Sequence, residues 1–201
     1  MYFADRQISV RLGQSFWSRG PSLSSRFEAK DFPSLQPPND KDEDYSSVHQ
    51  ATLELTQILH NAHDVLYSSR ARTLALVFAG DYNRYLDDFQ QTAASWHAKW
   101  SDRPRTRLIR TTLSLMYDYL GVYVNAFSFQ AVMTRFSSSQ IQAVATEHQT
   151  LTQDSPFATG VLASPDGRYI FDAFSSARKI LDTMSSIPSE ELRYLPTRYH
   201  L

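Results

Sequence analysis

Two groups of side chains could bind metal ions: a pair of adjacent acids and a pair of histidines at helical spacing. Asp87 and Asp88 are neighbouring acids in a strongly helical stretch. Bridging magnesium ions to a diphosphate would need a further carboxylate one turn later. Gln91 and Thr92 stand at those positions. We therefore expect two solvated acids on a helix rather than a metal-dependent active site.

The second candidate is a histidine pair, His60 and His63, followed by Asp64. Spacing of three residues puts both imidazoles on one helical face, where they could hold part of a metal site. Further ligands would have to come from elsewhere, and no H-E-x-x-H pattern occurs. A polar helix face is the expected interpretation, and we expect neither a metal nor another cofactor in this chain.

Composition excludes several kinds of catalysis. The sequence has no cysteine, so it offers no thiolate nucleophile and no cysteine-ligated metal centre. No G-x-S-x-G elbow occurs, and the six glycines form neither a dinucleotide-binding nor a phosphate-binding loop. We therefore expect a protein that is not an enzyme.

The basic cluster is short and stands alone in a nearly neutral chain. It comprises four arginines, Arg103, Arg105, Arg107 and Arg110. It could meet an acidic partner or a phosphate. Because the net charge is −1, the chain lacks the positive field that nucleic-acid binding requires. An exposed loop with salt bridges is the expected interpretation, without direct DNA contact.

Asp118 and Asn125 are the candidate ligand-binding residues. They lie seven residues apart on one face of an otherwise apolar helix, in a narrow polar sector formed by Ser114, Asp118, Gly121, Asn125 and Ser128. They could orient a small ligand in a pocket between helices. Alternatively, the sector is the wet edge of the helix or bonds to a neighbouring helix.

The elements that must position these residues are helices. Residues 1–45 are expected to be irregular, and a first helix should begin near Ser46 or Ser47, with Gln50 completing a capping box. A second helix is expected over 72–100, where apolar residues recur at spacings of three and four, with a break or kink at Gly80. A third is expected over about 105–136, with Pro104 in its first turn.

Later helices are expected over 139–151 and from about Ser164 to Ser185, with Phe174 and Leu181 among the inward residues of the latter. A short helical turn should follow Pro188. Because the third helix is apolar over more than half its circumference, it should be surrounded by the others. The predicted fold is all-α, an irregular multi-helix bundle with a buried central helix, in which 46–201 form the helical domain. Asp118, Asn125 and Gln130 interrupt the apolar run at 111–133, so we expect no membrane span.

Several segments, in this order, resemble the middle homology region, or regulatory domain, of fungal zinc-cluster (Zn2Cys6) transcription factors. The segment 8–21 looks like the start of that region. The Tyr-Leu-Asp-Asp-Phe run at 85–89, followed by Trp-His-Ala-Lys-Trp at 96–100, looks like its helix with paired tryptophans. The stretches 115–119 and 125–130 look like its central helix, and 177–181 and 192–196 look like later helices.

The resemblance implies a non-catalytic regulatory region of a nuclear transcription factor. The family binds DNA through a six-cysteine cluster with two zinc ions, which must lie outside this cysteine-free chain, so the sequence is expected to be a fragment. Expected partners are a small effector, a second copy or a transcription-machinery protein, with no membrane. The alternatives are a stand-alone small-molecule binder or helical enzyme with a pocket at the third helix, and a scaffold whose exposed apolar faces pair with another chain.

Overall fold

The computed structural model describes residues 2–12, 16, 28–35, 44–103, 106–145, 156–157, 164–188 and 190. These residues contain helices and no strand, which confirms the predicted all-α class. The α-helices are α1 (Tyr2–Leu12), α2 (Tyr45–Leu66), α3 (Arg70–Ala79), α4 (Asn83–Trp100), α5 (Arg107–Ala145) and α6 (Gly167–Ser186). Within these ranges, no helix combines the length and apolarity that crossing a bilayer demands.

The chain forms two compact units. Unit 1 comprises Met1–His63, Gln91–Tyr117 and Ile187–Leu201, and unit 2 comprises Asp64–Gln90 and Asp118–Ser186. Each has its own buried apolar side chains, such as Leu55 and Trp96 in unit 1 and Leu86 and Phe127 in unit 2. Burial of such side chains is the main favourable contribution to folding. The expected domain boundary between residues 45 and 46 stays a prediction.

The N-terminal segment is more regular than expected. Helix α1 occupies Tyr2–Leu12, and two short 3-10 turns follow at Ala29–Asp31 and Pro33–Leu35. Residues 1–12 carry no clear apolar period, which is why no helix is predicted there from the sequence. Arg6 in α1 is almost fully buried. Its Nη1 lies 2.7 Å from Asp5 Oδ2, and its guanidinium lies 4.0 Å from the ring centroid of Phe16. Such tertiary burial overrides a weak local preference.

Helix α2 begins at Tyr45 and is capped by the acid before it. The Asp44 carboxylate accepts hydrogen bonds from the Ser46 hydroxyl and from the backbone N–H and hydroxyl of Ser47. The capping box predicted between Ser47 and Gln50 is therefore wrong. Gln50 instead donates to Glu54 at 2.9 Å. An acidic cap also complements the positive end of the helix dipole.

The predicted second helix is two helices. Gly80 has φ 75° and ends α3, and its N–H donates to the Leu76 carbonyl. Glycine suits this left-handed position because it has no Cβ. The predicted apolar stripe is confirmed in part: Tyr82, Trp96 and Trp100, in or beside α4, are buried, but Phe78 of the same stripe, in α3, is exposed.

Helix α5 is present as expected but extends to Ala145. Residues 139–145, predicted to begin a separate helix over 139–151, therefore belong to α5. Leu115, Leu120 and Phe127 are buried, so the expected buried helix is confirmed, although Phe129 and Met133 from the same predicted stripes are exposed. The prediction for Pro104, the end of the 139–151 helix and the turn after Pro188 fall largely outside the described residues.

Helix α6 begins at Gly167, after a turn in which the Ser164 hydroxyl accepts from the Asp166 backbone N–H at 3.2 Å. Ile170 is buried, as predicted. Phe174 and Leu181 were predicted to face inward and are instead exposed. Helical spacing places residues on a common face, but it does not say which face packs against neighbours.

Candidate functional site

Asn125, one of the two predicted ligand-binding residues, is held by a side-chain amide from α4. Gln90 Nε2 donates to Asn125 Oδ1 at 2.8 Å and to Asp172 Oδ2 at 3.0 Å. We call these three residues the polar hub. It joins α4, α5 and α6 within unit 2. The interpretation that the polar sector of α5 bonds to a neighbouring helix is therefore the one that applies to Asn125.

The remainder of that sector is also largely buried. Asp118 is 5% and Asn125 4% exposed, and Ser128 is fully buried. Gly121 lies against α6 so closely that an added Cβ would stand 2.6 Å from Ser176 Oγ. The absent side chain thus lets α5 and α6 approach. From Asp118 to Ser128 the polar sector is an interhelical surface, whereas Ser114 at its start is exposed.

A partly buried ionic cluster lies at another place in unit 2. The Tyr82 hydroxyl donates to Asp166 Oδ1 at 2.5 Å, and Arg135 Nη2 donates to Asp166 Oδ2 at 2.6 Å. Arg135 Nη1 also donates to the Val77 carbonyl and to the Tyr82 hydroxyl, at 3.1 and 2.9 Å. Burial, reinforced by Asp166 and partly opposed by Arg135, raises the pKa of Tyr82 to about 12. The cluster ties the turn before α6 to α5.

Asp87, expected to be a solvated acid, is exposed but paired. Arg168 Nη2 contacts both of its carboxylate oxygens, at 2.6 and 2.8 Å. The Tyr169 hydroxyl reaches Asp87 Oδ1 at 2.9 Å and the Asn83 carbonyl at 3.1 Å. Asp87 therefore has a structural role in joining α4 to α6.

The paired tryptophans anchor α4 on α2 within unit 1. Trp96 Nε1 donates to the Ala51 carbonyl at 2.9 Å, and Trp100 Nε1 donates to Glu54 Oε2 at 2.8 Å. Lys99 Nζ also reaches Glu54, at 2.7 Å. A buried indole N–H needs such an acceptor. The two residues that carry much of the sequence resemblance are thus core residues with specific partners.

The histidine pair is arranged around an aromatic ring. The Phe16 centroid is 4.8 Å from the ring centroids of both His60 and His63, and the Arg6 guanidinium lies over the same phenyl ring. A cation so close opposes the binding of a second cation. Across the described ranges, no three His, Asp or Glu side chains are grouped as metal ligands would be.

One arginine of the basic cluster, Arg103, contacts residues of two helices. Arg103 Nη1 donates to the Ser47 hydroxyl at 3.3 Å, and its guanidinium lies 4.5 Å from the Trp100 ring centroid. Arg107 and Arg110 are exposed, and Arg105 falls outside the described residues. Arg103 thus contacts residues of α2 and α4, while Arg107 and Arg110 belong to α5, and the expected loop with salt bridges stays a prediction.

Sequence reasoning missed most members of the polar hub and of the ionic cluster. Gln90 lies between residues of the apolar stripe, Asp166 directly precedes α6, where acids are ordinary, and Asp172 lies in the second turn of that helix. No local pattern marks a residue whose partner lies 35 or 82 positions away. The Ser164-Pro165-Asp166 sequence predicts only the start of a helix.

The described side chains provide interhelical hydrogen bonds and ion pairs, and Gln90, the centre of the hub, has no titrating group with which to transfer protons.

No protein-family model, curated protein or solved structure matches the chain.

Proposed function

We propose that the chain is the regulatory, or middle homology, region of a fungal-type zinc-cluster transcription factor. In this proposal the protein acts in the nucleus, catalyses no reaction and does not itself contact DNA. A zinc-holding six-cysteine module outside these residues binds the DNA. The chain modulates activity through a small effector, a second copy or a transcription-machinery protein.

The polar hub is the observation that carries the proposal furthest. Asp118 and Asn125, the ligand-binding candidates from the sequence, lie in α5, the helix that resembles the family's central helix. Gln90 of α4 donates a hydrogen bond to Asn125. A buried polar residue bonded between helices specifies how they pack. A helix assembly with specified packing can exist in distinct states that effectors favour unequally, which is the physical requirement for regulation.

The all-helical fold and the anchored tryptophans give further support. The resemblance places 85–100 on one helix, and Trp96 and Trp100 lie on one face of α4, bonded to Ala51 and Glu54 of α2. Trp96 also stacks on Tyr117, with ring centroids 5.9 Å apart. The segments that carry the likeness therefore have roles in packing, as expected for a domain whose function is conformational.

A reporter assay tests the proposal. The 201-residue chain is inserted between a heterologous DNA-binding domain and an activation domain, and transcription is compared with that from a flexible linker of equal length. A regulatory region lowers reporter output several-fold. Gln90→Leu, which breaks the hub, relieves part of this repression, whereas Gln91→Leu, the same change at an exposed neighbouring position, does not. Output equal to that of the linker control contradicts the proposal.

One observation favours the second candidate, a small-molecule binder. Ser128 follows Asn125 by one turn of α5, is fully buried, and its Oγ has no hydrogen-bond partner among the described residues. Leaving a hydroxyl unbonded costs about 1–3 kcal/mol, which a polar ligand would recover. A thermal-shift screen with a metabolite panel tests it: a ligand that raises Tm for the natural chain but not for Ser128→Ala supports binding there, and no shift across the panel contradicts it.

A further inference from the structure

Helix α6 carries an exposed apolar stripe with the spacing of a helix-pairing seam. Phe171, Phe174 and Leu181 are 61%, 67% and 63% exposed. With Arg178 between them they follow one another at intervals of three, four and three residues, which is the a/d pattern of a coiled coil. We call Phe171, Phe174, Arg178 and Leu181 the α6 seam.

The opposite side of α6 is already occupied within unit 2. Tyr169 and Ile170 are buried, Asp172 bonds to Gln90, and Ser176 lies against Gly121. At 100° per residue, Tyr169, Asp172 and Ser176 lie on the other half of the helix from the seam, whereas Ile170, in the first turn of α6, lies at the same edge of the helix as Leu181. The seam is therefore a second apolar face, pointing away from the interior that α6 helps to form.

We propose that the α6 seam binds the same seam of a second copy of this chain, with the two helices antiparallel. A parallel pair would put Arg178 against Arg178, and like charges facing each other in a seam repel. An antiparallel pair centred near Ser176 instead places Phe171 opposite Leu181 of the second copy. It also places Phe174 opposite Arg178 of the second copy, a cation–π contact that forms twice by symmetry.

The charges beside the seam favour the same alignment. Arg168 and Asp182 lie on one flank, fourteen residues apart, with side-chain exposures of 61% and 72%. In the antiparallel alignment, Arg168 of one copy, whose Nη2 already bonds to Asp87 of its own chain, comes beside Asp182 of the other, and this pair also forms twice. Among the residues that the structure describes, Asp182 has one ion pair, at 3.7 Å, with the exposed Arg178. Its carboxylate is therefore well placed to accept a cation from a second copy.

The amount of surface sets the strength of this dimer. The three apolar side chains of one copy would each remove on the order of 100 Å² from water, or about 600 Å² for both copies. Stable complexes bury roughly 1,200–2,000 Å² in total. We therefore expect a weak, reversible dimer with a micromolar dissociation constant rather than an obligate one.

Sedimentation velocity over a wide concentration series tests the existence of the dimer. The natural chain should shift from monomer to dimer in the micromolar range. Phe174→Glu or Leu181→Glu should weaken association at least tenfold. Ile141→Glu alters an equally exposed apolar residue, on α5, and should leave association unchanged. A chain that stays monomeric at every concentration, or that dimerises equally well with both seam variants, contradicts the proposal.

Cross-linking tests the alignment, and the absence of native cysteine makes each introduced thiol unique. In the antiparallel pair, Ser175 lies near the symmetry axis, close to its own copy. Leu181 is about 15 Å along the axis from its own copy, at 1.5 Å per residue. With a bismaleimide whose reach is shorter than about 15 Å, the Ser175→Cys variant should give covalent dimers. The Leu181→Cys variant should not. The reverse result would mean a parallel pair and would overturn the proposed alignment. Circular dichroism confirms that each variant keeps its helix content.

Discussion

Trp100 Nε1 donates a 2.8 Å hydrogen bond to Oε2 of Glu54, joining the last residue of α4 to the middle of α2. Glu54 also accepts from Lys99 and Gln50, at 2.7 and 2.9 Å. Burial alone would raise the pKa of Glu54, but these hydrogen bonds together outweigh it, and the pKa lies below its ordinary value of 4.5. The ionised carboxylate therefore stabilises unit 1.

The stability that Glu54 contributes should depend on pH. Because its folded-state pKa is lowered, the contribution is present above the unfolded pKa of about 4.5 and is lost as pH falls through the folded value. We expect Glu54→Gln to lower the free energy of unfolding by about 1–2 kcal/mol at pH 7, with the difference shrinking toward pH 3. Urea titrations from pH 7 to pH 3 measure this. Asp182→Asn, at an exposed site, is the control, and a Glu54→Gln effect that is equal at every pH would contradict the expectation.

Tyr82 should make the fold sensitive to alkali. Its pKa is raised to about 12 from an ordinary 10.0, so the neutral hydroxyl is favoured in the folded state. The contribution of the neutral Tyr82 hydroxyl to the free energy of unfolding is complete below pH 10. It is lost as the pH rises from there through about 12. Burial also raises the pKa values of Tyr67 and Tyr123, which act in the same direction. We expect Tyr82→Phe to be less stable than the natural chain at pH 8, and its unfolding free energy should fall less steeply above pH 10.

Tyrosinate absorbance provides the direct check on Tyr82. The difference between the titrations of the natural chain and Tyr82→Phe should show one hydroxyl that ionises near pH 12. A difference titration centred on pH 10 would mean that the hydrogen bond to Asp166 and the burial do not perturb this group.

Breaking the polar hub should destabilise unit 2. Gln90→Leu removes the donor to both Asn125 and Asp172, and leaving buried polar groups without a partner costs about 1–3 kcal/mol. Gln91→Leu makes the same replacement at the next, exposed position and should change stability by less than about 0.5 kcal/mol. Denaturant unfolding compares the two variants. Equal effects would show that the hub adds nothing to stability.

The approach of α5 to α6 at Gly121 should appear as coupling between two residues. In Gly121→Ala, the gain of about 1 kcal/mol in helix propensity is opposed by the 2.6 Å clash with Ser176 Oγ. In a Ser176→Gly background that clash is absent, so Gly121→Ala should then stabilise the fold by about 1 kcal/mol. A double-mutant cycle from unfolding free energies measures the coupling. A gain that is the same in both backgrounds would mean that the helices do not meet there.

Much of the secondary structure could be predicted because local periodicity encodes it. The apolar repeat through Tyr82, Trp96 and Trp100 indicated α4, and the apolar length of α5 indicated a largely buried helix. The break at Gly80 was foreseen only as an option, because a single glycine is compatible with both a continuous and an ended helix. Its φ of 75° shows that the helix ends there.

The candidate site was predicted in part. Asn125 was identified because a polar residue in an apolar helix is uncommon, but Gln90 and Asp172 gave no such signal. Their importance arises from pairing across distant parts of the chain, which no window of neighbouring residues contains. The same reasoning explains Phe174 and Leu181, which share an apolar stripe and yet are exposed.

By itself, the sequence determined that this protein is helical, that it has no cysteine chemistry, and which residues share each helical face. Tertiary structure alone decided which of those faces is buried. It paired Gln90 with Asn125 and Asp172, paired Arg135 with the buried Asp166, and left the α6 seam exposed. The physical reason is that helix formation depends on neighbours within about one turn, whereas burial depends on contacts between residues far apart in the chain.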